Sequence, residues 1–220
     1  MTALLIATGN AHKAGEIAVM LGEQFLYLTL KNYPAAPAIP ETADTFASNA
    51  ALKALGLARW LAEQHATSGL QLPNLILADD SGLEVDALDG RPGVHSARFA
   101  ALDSGHQGNS PDADNNLKLL RLLKDVPAEK RTARFRCVLS LLEMDAHAKT
   151  SNLKAFEGIC EGQIAFAPSG KGGFGYDPLF VPSGFDQSFA GLGEDVKNKL
   201  SHRAKALAKL KIYLANRPNR

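Results

Sequence analysis

The chain of 220 residues carries 24 Lys and Arg against 23 Asp and Glu, a formal net charge of +1, with 45% apolar and 21% charged residues. That length allows one large domain or two small lobes with an ample core, and the near-neutral balance argues against a general nucleic-acid coat. No apolar run approaches the ~20 residues that span a bilayer. The first ten residues, MTALLIATGN, lack the basic leader of a signal peptide. Cys137 and Cys160 are isolated, without CxxC or metal spacing, which suits a reducing compartment. Charge is unevenly spread: eight Lys/Arg and no acid follow from Lys197 onward, and five acids without a base lie between Asp79 and Gly90. A basic segment coexisting with an acidic one suggests a polyanion bridged by a metal as readily as it suggests DNA.

In chain order, Ala3 to Ala7 predicts a buried strand. The loop Thr8-Gly9-Asn10-Ala11-His12-Lys13 follows, then a helix from Ala14 to Leu21 with Ile17, Val19, Met20 and Leu21 at helical spacing. Strand, Gly-containing loop and helix together present backbone N–H groups to an anion. Lys13 in the first turn opposes the helix dipole by about 0.3–1 kcal/mol, and an anion beside it would account for its place. There is no Walker A pattern, so this is not a P-loop.

Phe25 to Leu30 predicts a second strand, and Asn32 to Thr45 a loop with Pro34, Pro37 and Pro40 that also carries Glu41. A helix is expected from Thr45 to His65, capped by Asp44 or Thr45. Phe46, Asn49 and Lys53 share one of its faces, and Leu57, Trp60 and Leu61 continue an apolar stripe. Lys53 and Asn49 at the edge of that stripe either snorkel and cap or look into a crevice.

Leu75-Ile76-Leu77-Ala78 reads as a buried strand ending in two carboxylates, Asp79 and Asp80, followed by Ser81 and Gly82. Neighbouring side chains alternate along a strand, so both acids reach one cleft only if the strand stops; Gly82 is expected to stop it. A carboxylate at the carboxyl end of a central strand sits where α/β folds build their crevices. The turn Asp89-Gly90-Arg91-Pro92-Gly93 and a polar loop, Ala100 to Ala113, lead to an amphipathic helix, Asp114 to Lys124. Arg131 to Met144 and Leu153 to Gly162 suit strands.

Gly170, Gly172 and Gly175 match GxGxxG, but strand-like Leu179-Phe180-Val181 follows instead of a helix, which rejects a dinucleotide fold. The glycines admit close backbone approach to a ligand, and Phe174 and Tyr176 are either core residues or stacking partners for a flat ring. Ser201 is expected to cap a helix from Ser201 to Leu214. Lys197, His202 and Arg203 then crowd its N-terminus, where the dipole disfavours cations; an anion or keto-bearing ligand would explain them.

Four segments, TGNAHK (Thr8 to Lys13), FASNAALKA (Phe46 to Ala54), ADDSGLEVDALDGRPGVHSAR (Ala78 to Arg98) and GGFGYDPLF with KNKLSHR (Gly172 to Arg203), together resemble the inosine triphosphate pyrophosphatase, or Ham1-like, family over nearly the whole chain. The resemblance implies an α/β fold: an elongated mixed sheet with flanking helices forming two lobes around a central cleft. No repeat or convincing linker splits the sequence, so residues 1–220 are expected to be a single nucleoside-triphosphate pyrophosphatase domain. The implied activity is Mg²⁺-dependent hydrolysis of ITP, dITP and XTP to the monophosphate and pyrophosphate, by a cytoplasmic homodimer that binds neither nucleic acid nor membrane.

Residue by residue, the resemblance implies that Thr8, Gly9, Asn10, Ala11, His12 and Lys13 hold the triphosphate, with Lys53 and Asn49 approaching from the second helix. Asp80 is the implied catalytic base and a metal ligand, supported at the metal by Asp79 and Glu41, and Ser81 contacts substrate. Phe174, Gly175, Tyr176 and Asp177 form the implied nucleoside pocket, and Lys197, His202 and Arg203 face the purine, favouring a 6-keto over a 6-amino group. Two positions depart from the family pattern: Ser48 stands where Glu is common, and Pro40-Glu41 replaces an acidic pair. Other readings of the same residues are a pyrophosphatase for another modified nucleotide, a non-catalytic nucleotide sensor, and RNA binding through the C-terminal helix, whose basic face has few aromatics.

Overall fold

The structure, a computed structural model, describes residues 1–103, 105, 108–145, 147 and 150–217. Part of the predicted polar loop, at residues 104, 106 and 107, lies outside the described residues. The elements run β1 (Thr2–Ala7), α1 (Ala11–Leu21), β2 (Phe25–Thr29), α2 (Phe46–Ser68), β3 (Leu75–Val85), α3 (Asp112–Leu122), β4 (Thr132–Met144), β5 (Thr150–Ile164), β6 (Phe180–Pro182), α4 (Phe189–Leu192), α5 (Glu194–Leu200) and α6 (His202–Ala215). The six strands form one sheet in the order β2-β1-β3-β4-β5-β6. β1 is parallel to β2 and β3, with Ile6 opposite Thr29 and Leu77, whereas β5 and β6 are antiparallel. The fold is therefore mixed α/β, as expected.

The chain divides into two compact units: Met1–Asp80 with Val138–Glu157 and Ala206–Arg220, and Ser81–Cys137 with Gly158–Lys205. In the first unit, Leu75 to Asp80 of β3 is buried at every position, as in a parallel strand covered on both faces. α2 turns Ala54, Leu57, Ala58 and Leu61 onto Leu5, Ile76, Leu142 and Met144, the spacing of one helical stripe. On β4, buried Glu143 accepts hydrogen bonds from Tyr213 Oη (3.2 Å) and Arg217 Nη2 (2.9 Å).

In the second unit, Leu83, Val85, Leu119, Phe135, Tyr176, Leu179, Phe180 and Phe189 share a core. Phe135 is its hub, with ring centroids 4.6 Å from Phe180 and 4.8 Å from His202. Among the described residues no helix is long and apolar enough to cross a membrane.

Two of the boundaries that differ from expectation bear on the site. α1 begins at Ala11 rather than Ala14, because the Asn10 side chain accepts from His12 N–H (2.9 Å) and Lys13 N–H (3.2 Å) and closes the first turn. β3 does not stop at Gly82 but continues to Val85. Leu83 and Val85 are wholly buried, and Leu83 N–H donates to Ser96 Oγ at 2.8 Å, so core burial carries the strand past the glycine.

Candidate active site

In the first unit the unbroken β3 sends its two acids to different lysines. Lys13 Nζ, from the first turn of α1, donates to Asp79 Oδ1 at 2.6 Å. Lys53 Nζ, from α2, donates to Glu41 Oε1 (2.9 Å) and the Asp79 carbonyl (2.6 Å), and lies 3.6 Å from Asp80 Oδ1. Strand alternation thus separates the carboxylates instead of aiming both at one point.

Asp80 is 5% exposed, and its Oδ2 is buried without a hydrogen-bond partner among the described residues. Burial, opposed by Lys53 and reinforced by Glu41, pushes the Asp80 carboxyl up to about 6. Burial disfavours the Lys53 charge, but Asp80 and Glu41 outweigh it and hold the ammonium above its ordinary pKa. A buried carboxylate oxygen with no donor, beside a cation that partly sustains its charge, is arranged to accept a proton or to meet a metal ion.

The loop before α2 is fixed at two points. Asn49 is fully buried: its Oδ1 accepts from Ala43 N–H (2.9 Å) and its Nδ2 donates to Ala43 O (3.1 Å). Asn49, expected beside Lys53 at the phosphates, thus has both ends of its amide engaged by Ala43 and holds the backbone next to Glu41. Upstream, Ile39 fills the space above Gly56, where a Cβ would lie 2.9 Å from Ile39 Cδ1. Thr45 caps α2: its Oγ1 accepts from Ser48 N–H (3.1 Å) and donates to Ser48 Oγ (2.9 Å). Gly9, Asn10, Ala11 and His12 are exposed, and Thr8 and Lys13 half-buried. Thr8 Oγ1 accepts from Asn10 N–H at 3.1 Å.

Among the described residues no group of three or more His, Cys, Asp or Glu is gathered as a metal cage. Glu41, Asp79 and Asp80 are thus not brought together as one ligand set, because Lys53 and Lys13 draw the first two aside. Mg²⁺ needs less, since it is commonly held by one or two carboxylates, water and substrate phosphates. The donor-free Asp80 oxygen fits such a hard cation.

In the second unit a second group of sequence-distant residues converges. Lys197 Nζ donates to Asp177 Oδ2 at 2.6 Å, with side chains 4% and 3% exposed, and lies 4.3 Å from the Phe174 ring centroid. Asp177 Oδ2 also accepts from Phe174 N–H at 2.8 Å. The Arg203 guanidinium is 6.0 Å from the same ring, and its Nη2 donates to Ser81 Oγ at 3.3 Å. Phe174 is half-buried with two cations on or near it, a platform for a flat ring.

Tyr176 is not part of that platform. It is buried in the core, donates from Oη to Ser96 O at 2.8 Å, and burial raises its pKa. His202 is 4% exposed and stacks on Phe135 with 17° between the rings. Both aromatics therefore pack in the core, and of the two readings the sequence leaves open for Tyr176 the core one holds. Gly170 (φ 84°) touches α4 so closely that a Cβ would run into the Ala190 backbone, consistent with rejecting the dinucleotide reading.

The Ham1 family model matches residues 4–213. The chain belongs to the Ham1 family. The dITP/XTP pyrophosphatase of Geobacillus kaustophilus is 44% identical over 211 residues, covering 96% of this chain and 93% of the relative. That of Xylella fastidiosa (Temecula1) is 43% identical over 215 residues, covering 97% and 98%. Among solved structures, the Staphylococcus aureus Ham1 protein superposes with a TM-score of 0.79 at 33% identity, over 97% of this chain and 98% of that one. The nucleoside-triphosphatase, or dITP/XTP pyrophosphatase, of Mycobacterium abscessus gives 0.68 at 37% identity, over 95% and 98%.

This Ham1 chain also uses residues that sequence reasoning missed. Asp112 Oδ2 accepts from Gly175 N–H at 2.7 Å, and Asn116 Nδ2 donates to Gly175 O at 2.9 Å. Ser96 Oγ donates to Gly93 O at 2.6 Å while accepting from Leu83. The one signal in the sequence was polar Asn at a core-facing register of α3, where Asn116 is buried.

Proposed function

We propose that this chain hydrolyses deaminated purine nucleoside triphosphates, dITP, XTP and ITP, to the monophosphate and pyrophosphate, so removing them from the nucleotide pool. The observation that carries the reading is the buried, donor-free Asp80 oxygen beside Lys53 in a Ham1 chain. Names of relatives such as the G. kaustophilus enzyme support it.

Asp80 takes a proton from the attacking water as its oxygen bonds to phosphorus; the α–β anhydride breaks and pyrophosphate leaves. A carboxyl with a pKa of about 6 is ionised at neutral pH yet basic enough to accept that proton. Lys13 and Lys53 stand where phosphate charge is to be neutralised, and positioning with charge stabilisation supplies most of such catalysis. Asp80, with Glu41, is the proposed holder of Mg²⁺, which when bound neutralises phosphate charge and acidifies coordinated water. Thr8 to Lys13 supply backbone and side-chain donors for phosphate oxygens.

Phe174 takes the base, with Lys197 and Arg203 beneath or beside it. A 6-keto oxygen accepts from such donors; a 6-amino group leaves a buried donor unpaired, at about 1–3 kcal/mol per group. The family resemblance extends the reading to a cytoplasmic homodimer. Pyrophosphate release from dITP, XTP, ITP, dATP and dTTP, with and without Mg²⁺, tests it: the keto purines should be preferred and the rate should vanish with chelator. Comparable rates on dITP and dTTP would sink the base assignment.

A further inference from the structure

The platform residue Phe174 lies in a run, Lys171-Gly172-Gly173-Phe174-Gly175, that has little means of holding its own shape. Gly173 and Gly175 take φ values of 75° and 62°, in the left-handed region where glycine is favoured. Such a run gains order only from bonds to its surroundings. Phe174 N–H is tied to Asp177 within the segment, which sets a local turn but not its place on the core.

Gly172 N–H donates to Ala190 O of α4 at 3.2 Å, ahead of the ring, and the tie on the far side of Phe174 comes from one face of α3. Asp112 and Asn116 lie one helical turn apart, so their side chains emerge side by side. The first accepts the Gly175 N–H and the second donates to the Gly175 carbonyl. Both polar groups of the residue following Phe174 are therefore held by a single rigid helix. Asn116 does this at a cost: its Oδ1 is buried with no hydrogen-bond partner among the described residues. A buried amide with one unsatisfied end is worse for stability than a leucine of similar size. Gly175 is half-buried, so its carbonyl is not sealed in the core as Asn116 Oδ1 is. The stability argument alone favours Leu at this position; the bond to Gly175 is what the amide adds.

We infer that Asp112 and Asn116 are positioning residues for base recognition, a two-point clamp from α3 on Gly175 that fixes the Phe174 ring before the nucleotide arrives. This rests on the reading of Phe174 as the base platform. Fixing the ring in advance removes an ordering cost from base binding, so loosening the clamp weakens affinity and leaves the phosphate chemistry alone.

The test compares Asp112→Ala, Asp112→Asn and Asn116→Leu with the unsubstituted protein. Asp112→Ala and Asn116→Leu should raise KM for dITP about tenfold with kcat changed by less than about twofold. Asp112→Asn, which keeps an acceptor oxygen, should restore KM. Asn116→Leu should melt at or above the unsubstituted protein, a result that a merely structural role would not give. Hydrogen exchange at the Gly175 amide, without nucleotide, should quicken in Asp112→Ala and not in Asp112→Asn. That readout is independent of turnover, so if the unsubstituted protein releases no pyrophosphate from dITP, the functional reading falls while the clamp is still judged. Unchanged KM and unchanged exchange in Asp112→Ala, or a fall in kcat matching the loss in kcat/KM, would overturn the inference.

Discussion

The two units each hold a lysine against an aspartate, and the pairs are built oppositely. Lys197 and Asp177 are both sealed, at 4% and 3% exposure, and the acid also ties down backbone. Around Lys53 the cation is shared among Glu41, a carbonyl and Asp80, while one oxygen of Asp80 has no donor among the described residues. The first arrangement is sealed and the second unfinished. A sealed ion pair braces a structure; an acid with an open oxygen retains capacity for a ligand, a proton or a metal.

The sharpest way to separate them is to remove the unfinished acid. Asp80→Asn should lower pyrophosphate release from dITP by about 10²–10⁴-fold, the range of a lost general base. The same substitution should raise stability at neutral pH. The sign follows from a folded pKa of about 6 above the ordinary 3.8. Below pH 4 both states hold the proton and the fold bears no penalty. As pH rises to about 6 the unfolded chain releases it first, and stability falls by about 2–3 kcal/mol. Denaturant midpoints should show this loss between pH 4 and 6 in the unsubstituted protein and not in Asp80→Asn.

The braced pair should fail in the other manner. Lys197→Met leaves Asp177 buried without its cation, a loss of about 3–5 kcal/mol of stability by urea unfolding. Lys197→Met with Asp177→Asn should recover much of it. Loss of activity without loss of stability would instead class this pair with the unfinished one.

The smallest effect is the most diagnostic of Asp80 as base. kcat/KM for dITP should fall about tenfold per pH unit below pH 6 and level off above it. Lys53→Met should move that break upward, because Lys53 lowers the Asp80 pKa. A profile flat from pH 5 to 8 would remove Asp80 from the chemistry.

Much of this was legible in the sequence. Lys13 could be suspected because a cation opens a helix, and Asp80 because an acid ends an apolar strand; both arguments depend only on local chemistry. β1, β2, β4, β5, α2 and α6 were readable from periodicity and caps, Thr45 among them. What failed was direction. Spacing put Asn49 and Lys53 on one face but could not show that Asn49 turns back to Ala43. Tyr176 and Phe174 look alike in sequence, and burial alone separates them. Gly82 read as a stop because the pull of Leu83 and Val85 into the core is a tertiary effect. Asp112 and Asn116 resembled ordinary polar residues at a helix start, since their partner lies about 60 positions away.

The missing side chain at Gly56 bears on how such an enzyme is tuned. The stretch carrying Glu41 is moored on both flanks, by Ile39 against Gly56 and by Ala43 against Asn49. Any side chain at Gly56 must push back the tip of Ile39, two residues from the acid that grips Lys53. An uncharged position one turn along α2 from Lys53 thus borders the loop that carries Glu41, a charge acting on Asp80, and a substitution there presses on that loop without touching an ionisable group.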